Sequence, residues 1–146
     1  MMAYWLAITS RGNWKNVRAL NRWAVSLQHE SLLKRTNPGD ACIVYVTSDG
    51  GRYPSAVKAI LQIAGPEVTL ESKARRTLFD QLYPCQTDIT VVIDLEDPIP
   101  FHSFISRLSF IRKPHAWGAY LQGFPMRRLS PEDYEFLHSA IVATKK

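Results

Sequence analysis

Long apolar runs are absent from this chain, and that absence excludes the first large class of proteins. No stretch approaches the roughly 20 residues needed to cross a bilayer as a helix. The opening segment, MMAYWLAITSRG, has neither the basic start nor the cleavage site of a secretory signal, so the sequence predicts a cytoplasmic protein. Cysteine is scarce, with two residues, Cys42 and Cys85, that form no CxxC pair and have no histidine at metal-ligand spacing. Cys42 lies in the apolar run ACIVYV and reads as core; Cys85 follows Tyr83-Pro84 and reads as part of a turn. A cytoplasmic protein with two distant cysteines ordinarily keeps them reduced. Neither a phosphate-cradling GxxxxGK[ST] nor a GxGxxG occurs. The metalloprotease HExxH and the hydrolase GxSxG are also missing. Four histidines are scattered along the chain with no evident nucleophile beside them. No cofactor or metal is indicated, and no repeat or low-complexity tract interrupts the sequence.

What is present is an ordinary globular composition with a basic bias. With 146 residues, 46% hydrophobic and 21% charged, the chain fits one domain spanning 1–146. At that size about 70% of the unfolded surface is buried on folding. Eighteen basic residues face thirteen acidic ones, a formal charge of +5. The basic residues gather in Arg11–Arg22, Lys73–Arg76, Arg107–His115 and Arg127–Arg128. Such a balance favours a polyanionic partner, provided the patches converge in space.

Periodicity places the elements. Tyr4 to Ile8 alternates as a first strand. Gly12-Asn13 then breaks it, and Trp14, Val17 and Leu20 recur at helical spacing with Asn13 as the cap. A second short helix is expected over His29 to Arg35. The turn Asn37-Pro38-Gly39-Asp40 leads into a strand, Ala41 to Thr47, closed by residues 48–51. Alternation of Val57, Ala59, Leu61 and Ile63 marks the next strand. A short helix fits Thr77 to Leu82, and Ile89 to Leu95 reads as a central strand. Phe101, Phe104, Ile105 and Leu108 have the spacing of an amphipathic helix. The last helix is the best marked, with Ser130 as cap, Pro131 at the first position, Asp133 at the third, and Tyr134, Leu137 and Ile141 as its buried stripe. This order predicts an α+β fold, a curved mixed or antiparallel sheet with helices around it.

Four tryptophans carry the functional argument. Trp5, inside an alternating strand, and Trp14, on a helical stripe, read as core. Trp23 sits in LNRWAV among polar neighbours, which predicts an irregular backbone and a half-exposed ring. Trp117 lies in FIRKPHAWGAYLQG, behind Arg112, Lys113 and His115 and directly before Gly118, which with Gly123 brackets Ala119-Tyr120-Leu121-Gln122. For both rings a pocket wall and a packed core remain open readings. As a pocket, the chemistry is base recognition: a base stacked on an aromatic ring gains about 1–3 kcal/mol while flanking cations hold phosphates. Asp94, Glu96 and Asp97 crowd a strand end, as a metal site would, although a solvated loop has the same look.

Read in order, YWLAITSRGNW (4–14), LNRWAV (20–25), LLKRTNPGDACIVYVT (32–47), AILQIAG (59–65) and LSFIRKPHAWGAYLQGFPMRRLSPEDYEFL (108–137) resemble the EVE domain. That family belongs to the PUA-like superfamily and is related to the YTH domain. The resemblance implies a PUA-like mixed sheet curved towards a partial barrel, surrounded by short helices. It also implies a non-enzymatic module reading a modified nucleobase, in DNA or RNA, in an aromatic pocket. The pocket residues it implies are Trp23, after the first helix, with Thr9, Ser10 and Asn21, and Trp117 from the C-terminal signature. Arg11, Arg22, Arg112, Lys113 and His115 would hold phosphates. Ala24 stands where the resemblance implies a glycine. Two other readings are a PUA-type RNA-binding module that reads shape and phosphates without a modification, and an enzyme or nuclease-associated subunit. A partner nuclease or modification enzyme fits the first reading as well.

Overall fold

The computed structural model describes residues 2–48, 53–121 and 123–145; the turn expected over 49–51 lies outside them. Strand β1 (Tyr4–Thr9) is followed by helix α1 (Arg11–Leu20), strand β2 (Arg22–Val25), a 3-10 turn at Leu27–His29 and one helical turn, α2 (Glu30–Leu33). Strand β3 (Ala41–Val46) then returns parallel to β1, with Tyr4 opposite Ala41. A parallel pair needs a crossover of this length, and α1 to α2 supply it. Strands β4 (Ala56–Ile63), β5 (Val68–Thr69), β6 (Cys85–Pro100) and β7 (Met126–Leu129) follow, with helix α3 (Leu78–Leu82) before β6 and helix α4 (Pro131–Lys145) last. The sheet runs β2-β6-β4-β3-β1-β7, and β5 pairs with β6. Only β1 and β3 are parallel among these pairs.

The sheet curls because β6 serves two sets of neighbours. Residues 89–100 pair with β4, while 85–88 pair with β2. Register shifts between Val57 and Ala59, and between Ile60 and Leu61, add local twist. The result is the curved mixed half-barrel that the α+β reading expects. Strict alternation sends Trp5, Ala7, Cys42 and Val44 to one face, with Trp14, Trp23 and Phe79 packed on them. Leu6, Ile43 and Tyr45 point to the other face, under Leu137 and Ile141 of α4 and Phe101 and Phe104. With both faces covered, every residue of β3 is buried.

A buried carboxylate ties the start of this arrangement. Asp40, 1% exposed, accepts from the Ala3 N–H at 3.0 Å, Trp5 Nε1 at 3.1 Å and the Asn37 N–H at 3.0 Å. The last helix forms as its caps predict. Ser130 Oγ accepts from the Asp133 N–H at 3.1 Å, and Asp133 in turn accepts from Ser109 N and Oγ, at 3.0 and 2.6 Å. Cys42 and Cys85 are both free and buried.

Several elements differ from their sequence signals. Ser10, not Asn13, caps α1: its Oγ accepts from the Asn13 N–H at 3.0 Å, so the helix begins two residues before Asn13. Residues 101–108 form a 3-10 turn, Phe101–Ser103, and further turns instead of a helix. Phe101, Phe104 and Leu108 are buried all the same, because successive turns bring them to one side. The helix expected over 29–35 shrinks to a 3-10 turn and α2. Cys85 opens β6 and does not lie in a turn. Strands β2, β5 and β7 are two to four residues long and carry polar or basic side chains, so none shows a strand signal by itself.

Candidate functional site

Because β1 and β3 are parallel, both end on the same side of the sheet. There the Thr47 N–H donates to the Thr9 carbonyl at 2.9 Å, and the Ile8 N–H donates to the Pro125 carbonyl at 2.8 Å. A cleft of about 580 Å³ opens at this edge, a size typical of small-ligand sites. Ile8, Thr9 and Ser10 form one wall, Asn13 and Val17 of α1 the next, and Trp23 to Ser26 the back. Phe79 and Tyr83 border it from α3, and Leu121, Gly123, Phe124 and Pro125 from the C-terminal segment.

Aromatic rings dominate these walls, at different depths. Trp23 is 2% exposed, which corrects the expectation of a half-exposed ring on irregular backbone. It lies in β2, opposite Thr87 of β6, and alternation turns it inward with Val25. Its Nε1 is buried and has no hydrogen-bond partner among the described residues. Phe79 is also buried and meets Tyr83 at 5.7 Å between ring centroids. The Tyr83 hydroxyl accepts from Asn13 Nδ2 at 3.2 Å. Phe124 is the open ring, 46% exposed, and follows Gly123, whose φ of +83° only glycine adopts without strain. Ala24 lies in extended β2, and Asn21 is the one non-glycine residue at positive φ among those described. This backbone therefore requires no glycine at position 24.

The structure gathers Thr9, Ser10 and Trp23 into the cleft and distributes the other expected site residues. Trp117 is half-buried against Phe101, 5.4 Å between centroids. It lines an adjoining cavity of about 460 Å³ that shares Ile8, Thr47 and Leu121 with the first. Arg112, Lys113 and His115 are exposed beside it and line neither cavity. Arg22 gives Nη1 to Gln86 Oε1 at 2.7 Å and borders a shallow pocket with Pro66 and Asp88. Arg11 and Asn21 lie on the far face of α1, around another cavity. Phe79, Tyr83 and Phe124 line the cleft and were missed by sequence reasoning. The Gly-Phe-Pro run at 123–125, a glycine before an aromatic before a chain-stiffening proline, is the signal that points to the last of them.

The acidic cluster resolves differently. Asp94 pairs with Arg18 Nε at 3.1 Å and with Lys58 Nζ at 3.2 Å. Among the described residues no group of three or more histidine, cysteine or acidic side chains is placed to hold a metal ion. No helix among them is long and apolar enough to cross a membrane.

The architecture has relatives. By fold, the chain is similar to a protein of Leishmania major (TM-score 0.68, 12% identity, 100% of this chain and 98% of that one). It is similar also to the YTH domain of Mmi1 in complex with RNA (TM-score 0.67, 9% identity, 99% of this chain and 80% of that one). By sequence, it is 31% identical over 144 residues to a UPF0310 protein of Pyrococcus abyssi, covering 96% of this chain and all of that one. A UPF0310 protein of Pyrococcus horikoshii is 29% identical over 149 residues, covering 97% and 100%. The EVE domain model matches residues 3–140, and with that span the chain belongs to the EVE domain family.

Proposed function

We propose that this protein is a non-enzymatic nucleic-acid-binding module that takes a modified base into the cleft at the ends of β1 and β3. The observation that carries the reading is the cleft itself: four aromatic rings around about 580 Å³, with hydroxyls of Thr9, Ser10, Ser26 and Thr47 along its border. A nucleobase needs a flat apolar contact and a few directed hydrogen bonds. A fold neighbour whose structure includes RNA supports the same class of partner. In this reading Trp23 forms the floor and its unpaired Nε1 donates to the base. Phe124 covers the base from the open side, and Thr9 and Thr47 contact its polar edge. Trp117 borders the neighbouring nucleotide from the adjoining cavity, with Arg112, Lys113 and His115 near its phosphates. Asn21, expected in the base pocket, and Arg22, expected at a phosphate, both lie outside the cleft.

Selectivity needs more than an extra methyl. Burying one CH₂-sized group contributes about 0.8 kcal/mol, roughly a fourfold preference. Loss of hydration at an unmodified polar edge, with no partner in an apolar pocket, adds about 1–3 kcal/mol against the parent base. The expected outcome is at least a tenfold preference for one modified base over its parent in matched short oligonucleotides. Competition binding across methylated, hydroxymethylated and thiolated bases, in DNA and RNA, measures it. Equal affinity for every modified and plain strand would leave the PUA-type reading, a module for RNA shape and phosphates.

A further inference from the structure

The far face of α1 borders a second, larger cavity of about 880 Å³ that the base cleft does not use. Arg11, Lys15 and Arg18 share that face at helical spacing, and Lys58 of β4 approaches from the sheet. Four cations and one carboxylate, Asp94, thus line one cavity. Arg18 and Lys58 are both committed to it, and Lys58 also donates to the Leu95 carbonyl. Lys15 has no ion-pair or hydrogen-bond partner among the described residues. Arg11 gives Nη2 to the Pro54 carbonyl at 2.8 Å and sits 5.0 Å from the centroid of the Tyr53 ring. Two more donors in the walls are buried and unpartnered: Arg11 Nε, and Nε1 of Trp14, a residue 4% exposed. Unpaired buried donors are rare and call for an acceptor. Asp94 Oδ1, 3.2 Å from Lys58 Nζ, is also buried without a hydrogen bond; four cations against this one carboxylate leave the lining positive by three charges, which suits an anion bearing several oxygens.

The two cavities meet at one peptide, since Ser10 lines the first and Arg11 the second. A Cβ built on Gly12, the next residue, would meet nothing within 4 Å, so the first turn of α1 is open. The leading N–H groups of the helix lack intrahelical acceptors, and Ser10 Oγ takes only that of Asn13. We propose that a phosphodiester of the bound strand crosses this turn and seats in the second cavity, on Arg11, Lys15 and Arg18; this rests on the reading of the first cleft as the base site. Asp94 is then a built-in competitor that holds Arg18 and Lys58 when no strand is bound and weakens binding when one is.

The test titrates the full chain with plain and modified eight-nucleotide single strands at several salt concentrations. Lys15→Ala with Arg18→Ala should weaken both strands alike, by about tenfold at moderate salt. It should also lower the slope of log affinity against log salt by about 1.4, two contacts at roughly 0.7 each on a single strand. An unchanged slope overturns the proposal, as does inorganic pyrophosphate binding in this cavity while the double variant keeps the parent slope, which marks a free-anion site. Should the double variant fail to fold, Asp94→Asn reads the same site with opposite sign. Stronger binding of both strands and a steeper slope support the proposal, and equal or weaker binding overturns it. If the parent does not distinguish modified from plain strands but the double variant loses slope, the base reading fails and the phosphate site stands.

Discussion

At the scale of single residues, the cleft separates two aromatic roles that the sequence alone cannot tell apart. Trp23 is nearly sealed, so truncating it removes core as well as pocket. Trp23→Ala is expected to cost about 3–5 kcal/mol of stability, the usual range for a buried large aromatic. Phe124, half open beside Gly123, packs little of the interior. Phe124→Ala is expected to leave the melting temperature almost unchanged and to weaken base-dependent binding by about 1–3 kcal/mol, one stacking contact. Thermal melting beside oligonucleotide binding separates the two. A Phe124→Ala variant with parental affinity would remove that ring from the site. Trp23→Phe, which keeps an apolar ring and deletes the unpaired Nε1–H, tests the floor without emptying it.

At the scale of elements, the parallel β1–β3 pair depends on a polar clamp. Its strands are joined through a 31-residue excursion from Ser10 to Asp40, and closing so long a connection is entropically costly. Asp40 offsets part of that by holding the Ala3 and Asn37 N–H groups and the Trp5 indole at once. Asp40→Ala leaves those donors without an acceptor in a buried setting, at about 1–3 kcal/mol each when desolvated. The expected result is one of the largest losses of any polar substitution here, read as a drop in denaturation midpoint with the slope unchanged. A loss under 1 kcal/mol would mean that water replaces the carboxylate. The cleft is expected to suffer with the fold, since both of its strand walls end this pair.

For the whole molecule, pH dependence reports how α4 docks. Tyr134 stacks on Tyr4 with centroids 4.3 Å apart. Burial, and then the neighbouring Tyr4, push its hydroxyl up to about 12. An unfolded tyrosine titrates near 10, so the folded state binds this proton more tightly. The stability it contributes is complete below about pH 10 and is lost as pH rises from there through about 12. Unfolding measured between pH 9 and 12 should show that decline, and Tyr134→Phe should flatten it. The opposite case is Glu30, held below its ordinary range by the Thr69 hydroxyl and then by Lys34. Its contribution is present at neutral pH and disappears as pH falls through the carboxylate range. Both windows lie away from neutrality, so neither group acts as a switch there.

Strong local signals decided the elements that the sequence by itself determined. The β1 and β4 patterns have period two, β3 is an apolar run directly after the Asn37-Pro38-Gly39-Asp40 turn, and the Ser130-Pro131-Asp133 cap forms within one turn, so no distant contact was needed to read them. The order of the quoted segments likewise carried the family, because that order persists where single motifs are weak. Tertiary structure alone decided β2 and β7, whose RWAV and MRRL sequences become strands only because β6 and β1 present open edges to them. Ring depth is a second such decision. Trp23 and Trp117 both sit among polar or basic neighbours, yet pairing of β2 turns one ring into the floor of the cleft. The other lies against Phe101, one cavity away. The basic residues follow the same rule: Arg11, Lys15 and Arg18 converge through helical spacing. Lys58 and Asp94 join them only because the curl of the sheet brings β4 and β6 under α1, and sequence distance carries no trace of that approach.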